Sequence, residues 1–398
     1  MEVTEVQYKE SEIGVIPVDW EVKQLSTIGK FTKGQGIRKD EATNGEIPCV
    51  RYGELYTRHN DYIKEYFSFI SNETAKSARR LRPGDILFAG SGETKEEIGK
   101  CAAFVDNIEA YAGGDIVILS PIDVSPLFLG YLLNAQHIQK QKASKGQGDA
   151  IVHISANQLG SIQIPLPPTK SEQTAIATAL SDTDALIENL EKLIAKKRNI
   201  KQGVMQELLK PRNGWGIKKL GDFIRLQTGF PFSSEYFSDN PKGQRLIKNR
   251  DLRSDDSIVY YSGDYAKEFI VQNDDLLIGM DGDFEPVLWK KGNALLNQRV
   301  GRVLKIKEIS IPFLSFTLLK ELKEIEVRTS STTVKHLSHF DINKIEMPLP
   351  NFEKQNHIAT ILTDMDADIY ALEKKLNKIK QIKQGMMQTL LTGKIRLV

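Results

Sequence analysis

Cysteine is almost missing from this 398-residue chain: Cys49 and Cys101 are the only two, and they form no CxxC pair. That excludes a disulfide framework or a cysteine-based zinc cluster and fits a reducing compartment. Histidine is sparse too, six in all, and none stands at ligand spacing; His336 and His339 lie three apart without an acidic or cysteine partner. No metal and no cofactor is expected. No run of about 18 apolar residues occurs, and the amino-terminal MEVTEVQYKE is charged and lacks the apolar stretch of a signal peptide. Membrane insertion and secretion are therefore not expected, and the expected location is the cytoplasm. The chain also lacks the Asn-Pro-Pro-aromatic or Asp-Pro-Pro-aromatic tetrapeptide that would hold a flipped base, and an FxGxG cofactor loop. A P-loop is absent as well: Gly92 and Gly99-Lys100 are wrongly spaced, and Cys101 replaces the Ser/Thr. Charge of one sign is in short supply, 54 Lys+Arg against 52 Asp+Glu giving +2. A protein that neutralised many phosphates alone would be more basic, so any nucleic acid is bound with help from a partner.

What is present is repetition. The length allows two or three domains, and the 40% hydrophobic and 27% charged fractions are those of an ordinary globular chain. Residues 173–209 align without a gap on residues 355–391 at an offset of 182, with 21 identities in 37 positions. Each copy follows a proline-bearing strand end, Pro165-Leu166-Pro167 and Pro348-Leu349-Pro350. In the second copy Ile358, Leu362, Met365, Ile369, Leu372, Leu376 and Ile379 alternate spacings of four and three, a heptad seam that lays one helix along another. The first copy keeps Ile176, Leu180, Ile187, Leu190 and Ile194 in register, with polar Thr183 and Lys197. Ser181-x-x-Asp184 and Thr363-x-x-Asp366 read as capping boxes and predict that each helix restarts there. The uninterrupted length is then about 27 to 37 residues, or about 40–55 Å. Alone, such a seam would be exposed, so the two copies are expected to pair. Gly203 and Gly385, equivalent positions within them, each cost about 1 kcal/mol relative to Ala, which suggests close packing or a bend.

The blocks preceding these helices repeat more faintly. Trp20-x-Val22-Lys23-x-Leu25 matches Trp215-x-Ile217-Lys218-x-Leu220, and Gly84-Asp85-Ile86-Leu87-Phe88 matches Asp274-Asp275-Leu276-Leu277-Ile278. His153 stands opposite His336. Runs such as Ile116-Val117-Ile118-Leu119 and Val300-Gly301-Arg302-Val303-Leu304 read as short strands between polar, glycine-containing loops.

Gly14-Val15-Ile16-Pro17-x-Asp19-Trp20, Val50-Arg51-Tyr52-Gly53-Glu54-Leu55, Gly84 to Phe88 with Ser91-Gly92-Glu93-Thr94, and Lys201-Gln202-Gly203-x-Met205-Gln206-x-Leu208-Leu209, which recurs as Lys383 to Leu391, form one ordered set. Over nearly its whole length the chain resembles the specificity subunits of Type I restriction–modification systems. The resemblance implies an α+β protein: two β-rich mixed target-recognition domains separated by two long helices paired as an antiparallel coiled coil, with an internal pseudo-twofold repeat. The expected boundaries are 1–168 and 213–350 for the recognition domains, and 169–212 and 351–398 for the helical spacers. The resemblance also implies partners: double-stranded DNA, two modification subunits that carry S-adenosylmethionine and methylate adenine, and restriction subunits that translocate and cut.

Base edges are read in the major groove by Arg or Lys on guanine, Asn or Gln on adenine, and carboxylates on cytosine. The loops supplying these types are Arg51, Tyr52, Glu54, Arg58, Ser91, Glu93, Thr94 and Lys95 in the first half. In the second they are Lys248, Asn249, Arg250, Asp251, Asp281, Asp283 and Phe284. Arg79, Arg80 and Arg82 read as phosphate anchors. Helix pairing is assigned to Ile187, Leu190 and Ile194 with Ile369, Leu372 and Leu376. Two rival readings stand beside this one. Asp85, Glu93 and Lys95 have the residue types of a metal-dependent endonuclease, and the heptads alone would suit a coiled-coil scaffold that reads no sequence.

Overall fold

The computed structural model describes residues 7–43, 45–148, 150–328 and 336–397; the reading of the extreme amino terminus falls partly on residues outside these. The chain forms two compact units, residues 1–192 with 374–398, and residues 193–373.

In the first unit an antiparallel sheet contains β1 (Gly29–Lys33), β5 (Ile86–Ala89), β6 (Cys101–Ala103) and β8 (Ile116–Pro121), in the order β6-β5-β8-β1. All four residues of β5 are fully buried, and their alternation explains why. Ile86 and Phe88 face one core with Phe128 and Leu132 of α2 (Pro126–Asn134). Leu87 and Ala89 face the other, with Val50, Leu55 and Ala112. That second face is closed by a mixed sheet of β2 (Ile47–Val50), β3 (Ser68–Ile70), β4 (Arg79–Arg80) and β7 (Tyr111–Ala112), in the order β3-β2-β7-β4, with β2 and β7 parallel. A short helix, α1 (Tyr52–Thr57), leaves the end of β2. Behind α2 lies α3 (Gln136–Lys145).

The second unit repeats this plan. Its antiparallel sheet runs β14 (Pro286–Leu288), β13 (Leu276–Gly279), β16 (Val300–Lys305), β9 (Ile224–Thr228). Leu276 and Ile278 face Phe313, Leu314 and Leu318 of α5 (Ile311–Arg328). Leu277 faces Ile247, Leu296 and Trp289. The mixed sheet again centres on a parallel pair, β10 (Gln244–Ile247) with β15 (Ala294–Leu296), flanked by β11 (Val259–Tyr261) and β12 (Ile270–Val271), with the short strand Phe237–Ser238 beyond β11. A 3-10 turn, Asn249–Leu252, takes the place of α1.

Each unit launches a long helix in the same way. Strand Gln163–Leu166 pairs with Glu21–Gln24, Glu346–Leu349 pairs with Gly216–Lys219, and each leads into a helix. Thr169 and Asn351 cap the helices α4 (Lys170–Leu208) and α6 (Phe352–Leu390), accepting from the amides of Glu172 and Lys354 at 3.2 and 2.9 Å. One turn in, a buried glutamine ties helix to globule. Gln173 accepts from the Ser125 amide and donates to the Pro167 carbonyl, and Gln355 does the same with Ser310 and Pro350.

Both helices run 39 residues without a break, about 58 Å at 1.5 Å per residue. The predicted restarts do not occur. Ser181 bonds back to the Thr178 carbonyl, while Asp184 and Asp366 are taken by lysines of the other helix. Pairing is antiparallel in each unit taken by itself. In the first, Lys383 meets Asp184 and Lys380 meets Glu191, both at 2.7 Å. In the second, Lys201 meets Asp366, Lys197 meets Asp368 and Arg198 meets Glu373. The two sets are reciprocal at the offset of 182: Lys201–Asp366 mirrors Lys383–Asp184, and Arg198–Glu373 mirrors Lys380–Glu191. Equivalent contacts are thus made in each unit. Of the seam residues, Leu190, Ile194 and Ile369 are buried, while Ile187, Leu372 and Leu376 are half-buried. A β-carbon on Gly203 or Gly385 would meet nothing, so neither glycine marks a close approach.

Candidate nucleic-acid interface

The strand ends of the two sheets place the same pair of loops side by side in each unit. In the first, α1 carries Tyr52 and Glu54 and is flanked by Arg51 and Arg58. Tyr52 and Arg58 are exposed, the latter with its guanidinium 5.1 Å from the Phe67 ring. Glu54 is engaged in building α1: one carboxylate oxygen accepts from the Arg51 amide at 2.9 Å, the other from the Ser68 hydroxyl. Next to α1 runs the loop after β5. A β-carbon on Gly92 would lie 2.6 Å from the Tyr56 hydroxyl, which measures how close the two segments are. Ser91 bonds His153 Nδ1 at 2.9 Å, and Glu93, Thr94 and Lys95 project into solvent. A cleft of about 950 Å³ opens beside them, lined by Lys33, Ser91, Gln147 and His153 among others.

In the second unit the turn 249–252 meets the loop 281–285. Asn249 donates to the Asp281 carbonyl, and Asn249, Arg250, Asp281 and Asp283 line one cleft of about 230 Å³. Asp281 accepts from Arg299 and bonds His336 Nδ1 at 2.8 Å, the counterpart of the Ser91–His153 contact. Asp283 is bound by Arg253, whose hydrogen bond holds its carboxyl below the usual carboxylate range. Lys248 lies 4.7 Å from the Phe237 ring, and Arg250 reaches Ser257.

Two expected contact residues point inward instead. Phe284 is fully buried among Leu276, Phe313 and Leu337, because apolar area at a loop root gains more from the core than from solvent. Asp251 is 2% exposed and accepts from the Lys248 amide, the same task as Glu54. Of the three arginines read as phosphate anchors, Arg80 and Arg82 are exposed, whereas Arg79 is half-buried near Thr32. The histidines His153 and His336 and the ion-pairing Arg253 received no role from the sequence. The internal alignment pairs the two histidines and was the available signal.

The endonuclease residues do not assemble. Asp85 is 2% exposed with both oxygens used, one by the Arg82 amide and one by Ser120, while Glu93 and Lys95 stand in solvent. Asp275 repeats that turn by accepting from the Gln272 amide. Among the described residues no cluster of His, Cys, Asp and Glu could hold a metal ion, and no helix is long and apolar enough to cross a membrane.

A family model described as the Type I restriction modification DNA specificity domain matches the chain twice, over residues 17–197 and 212–384. The chain belongs to this family. Among its relatives, the putative type I restriction enzyme MjaX specificity subunit of Methanocaldococcus jannaschii is 28% identical, over 99% of this chain and 97% of that one. The MjaVIII specificity subunit of the same organism is 26% identical with the same coverage. The crystal structure of the Type-I restriction-modification system S subunit from M. genitalium covers 93% of this chain and 96% of its own, with a TM-score of 0.64 at 17% identity, a likeness of fold. This specificity subunit is non-catalytic, so the endonuclease and bare-scaffold readings are set aside.

Proposed function

We propose that this specificity subunit reads a bipartite DNA target, one half-site per β-rich globule, while the paired helices set the unread gap. The recognition domains are then residues 1–168 and 213–350, and the spacers 169–212 and 351–398. One observation carries the reading: each half presents two loops at equivalent strand ends, on equivalent scaffolds, with different chemistry. The first offers Arg51, Tyr52, Arg58 and a Ser91–His153 pair; the second offers Lys248, Asn249, Arg250 and an Asp281–His336 pair. Equal frames with unequal readers suit an asymmetric site whose halves lie about one DNA turn apart, roughly 34 Å. Ser91, Glu93, Thr94, Lys95, Asp281 and Asp283 complete the proposed contact set. Glu54 and Asp251 shape the loops, and Phe284 anchors one from below.

The partners are double-stranded DNA, two modification subunits that methylate adenine, and restriction subunits, all in the cytoplasm. The small net charge supports shared phosphate binding. Leu193 and Ile200, one heptad apart and 40% and 46% exposed, offer apolar surface on the helix for such partners. Co-expression with the cognate modification subunit, followed by long-read mapping of methylated adenines, tests the reading. A gapped motif with two unlike halves is expected; a single contiguous motif would refute it.

A further inference from the structure

The two units treat equivalent tryptophans differently. Trp20 is fully buried: the arm Tyr8–Pro17 contributes Ile16 at 2% exposure, and the tail after α6 places Arg396 5.8 Å from the Trp20 ring. That arginine is itself gripped by Asp19 and the buried Glu172. In the second unit the same region is one short covalent stretch, Leu209 to Trp215, too short to be both arm and tail. Trp215 stays half-buried there, and an apolar groove of about 550 Å³ opens between it and α5, lined by Met205, Leu209, Phe316, Leu319 and Met347.

The groove carries a charge preference. Lys210, Lys320 and Lys323 line it against a single carboxylate, Glu321. Lys320 and Lys323 keep ion pairs with Glu324 and Glu326 of their own helix, yet remain 81% and 51% exposed. The position of Glu172, which grips the arginine in the first unit, is taken by the exposed Lys354. Asp19 is replaced by Gly214. Of the two carboxylates that hold the guanidinium in one half, one is thus reversed in sign and the other lost in the second half. We infer that this groove is a docking site for an apolar segment bearing carboxylates, supplied by another protein chain, and that only the second half of the molecule offers it. Apolar anchors would fill the space beside Trp215 and Leu319, with acidic neighbours meeting the lysine rim. The inference stands apart from the DNA reading.

Fluorescence anisotropy of the full chain with three labelled peptides of equal length tests it. One alternates Leu or Phe with Asp or Glu, one replaces the acids by Lys, and one is the chain's own tail, residues 389–397. Saturable binding of the acidic–apolar peptide alone is expected. Its Kd should rise about tenfold or more in Leu319→Asp and in the double variant Lys320→Glu with Lys323→Glu, and stay unchanged in Lys140→Glu on α3. Three results would each overturn the inference: no saturable binding of that peptide, equal or tighter binding of the basic or tail peptide, or self-association of the chain abolished by Leu319→Asp.

Discussion

Lys383 and Lys201 hold equivalent places on the two helices but live in different surroundings. Lys383 is 18% exposed and bridges Asp184 and Asp61, the latter 9% exposed and also bonded by Asn134. Burial works against its ammonium, and the two carboxylates outweigh that and hold it charged. Lys201 faces Asp366, which is 47% exposed. Lys383→Ala leaves carboxylates buried without a counter-ion and should cost about 3–5 kcal/mol, whereas Lys201→Ala should cost about 1 kcal/mol or less. Urea unfolding of the full chain measures both; equal losses would contradict the account. Lys142 gives a pH test. It is fully buried, donates to the Gly99 carbonyl, and burial pushes its ammonium down to about 8. Below that pH both folded and unfolded chains are protonated there and the burial cost is fully felt. Between about 8 and 10.5 the folded chain has shed the proton while the unfolded chain keeps it, so stability rises with pH. From pH 7 to 10.5 the native chain should gain about 3 kcal/mol relative to Lys142→Met, and a constant difference would contradict this. At this scale the sequence was least informative. Loop composition marked Phe284 and Asp251 as surface readers, but the inward direction of one side chain and the capping bond of another depend on strands far away in sequence.

At the scale of elements, the heptads of α4 and α6 and the strands around Ile116–Leu119 and Val300–Leu304 were legible from periodicity alone. The capping boxes misled because a local pattern cannot register a tertiary partner. Asp184 is taken by Lys383, and the helix runs on through the site of the expected restart. The parallel pairs β2–β7 and β10–β15 were hidden for a related reason, since pairing across some 50 or more residues leaves no local signature. The helical glycines allow a test. Nothing approaches Gly203 or Gly385, so Gly203→Ala and Gly385→Ala should each raise stability by about 1 kcal/mol in thermal unfolding. A loss would mean that these positions do require the absence of a side chain.

For the whole molecule, the duplication is the organising fact. The ion pairs of α4 and α6 and the Gln173 and Gln355 ties recur at equivalent positions in both units. The loops differ between halves, and that freedom is what an asymmetric target requires. In the proposed reading the specificity subunit is a spacing device carrying two unlike readers. Adding seven residues to each helix at the level of Ile194 and Leu372 lengthens the pair by roughly 10 Å, or about three base pairs. Methylated-adenine mapping with the lengthened subunit should return both original half-sites separated by about three more base pairs. Altered half-sites at the original gap would contradict the account.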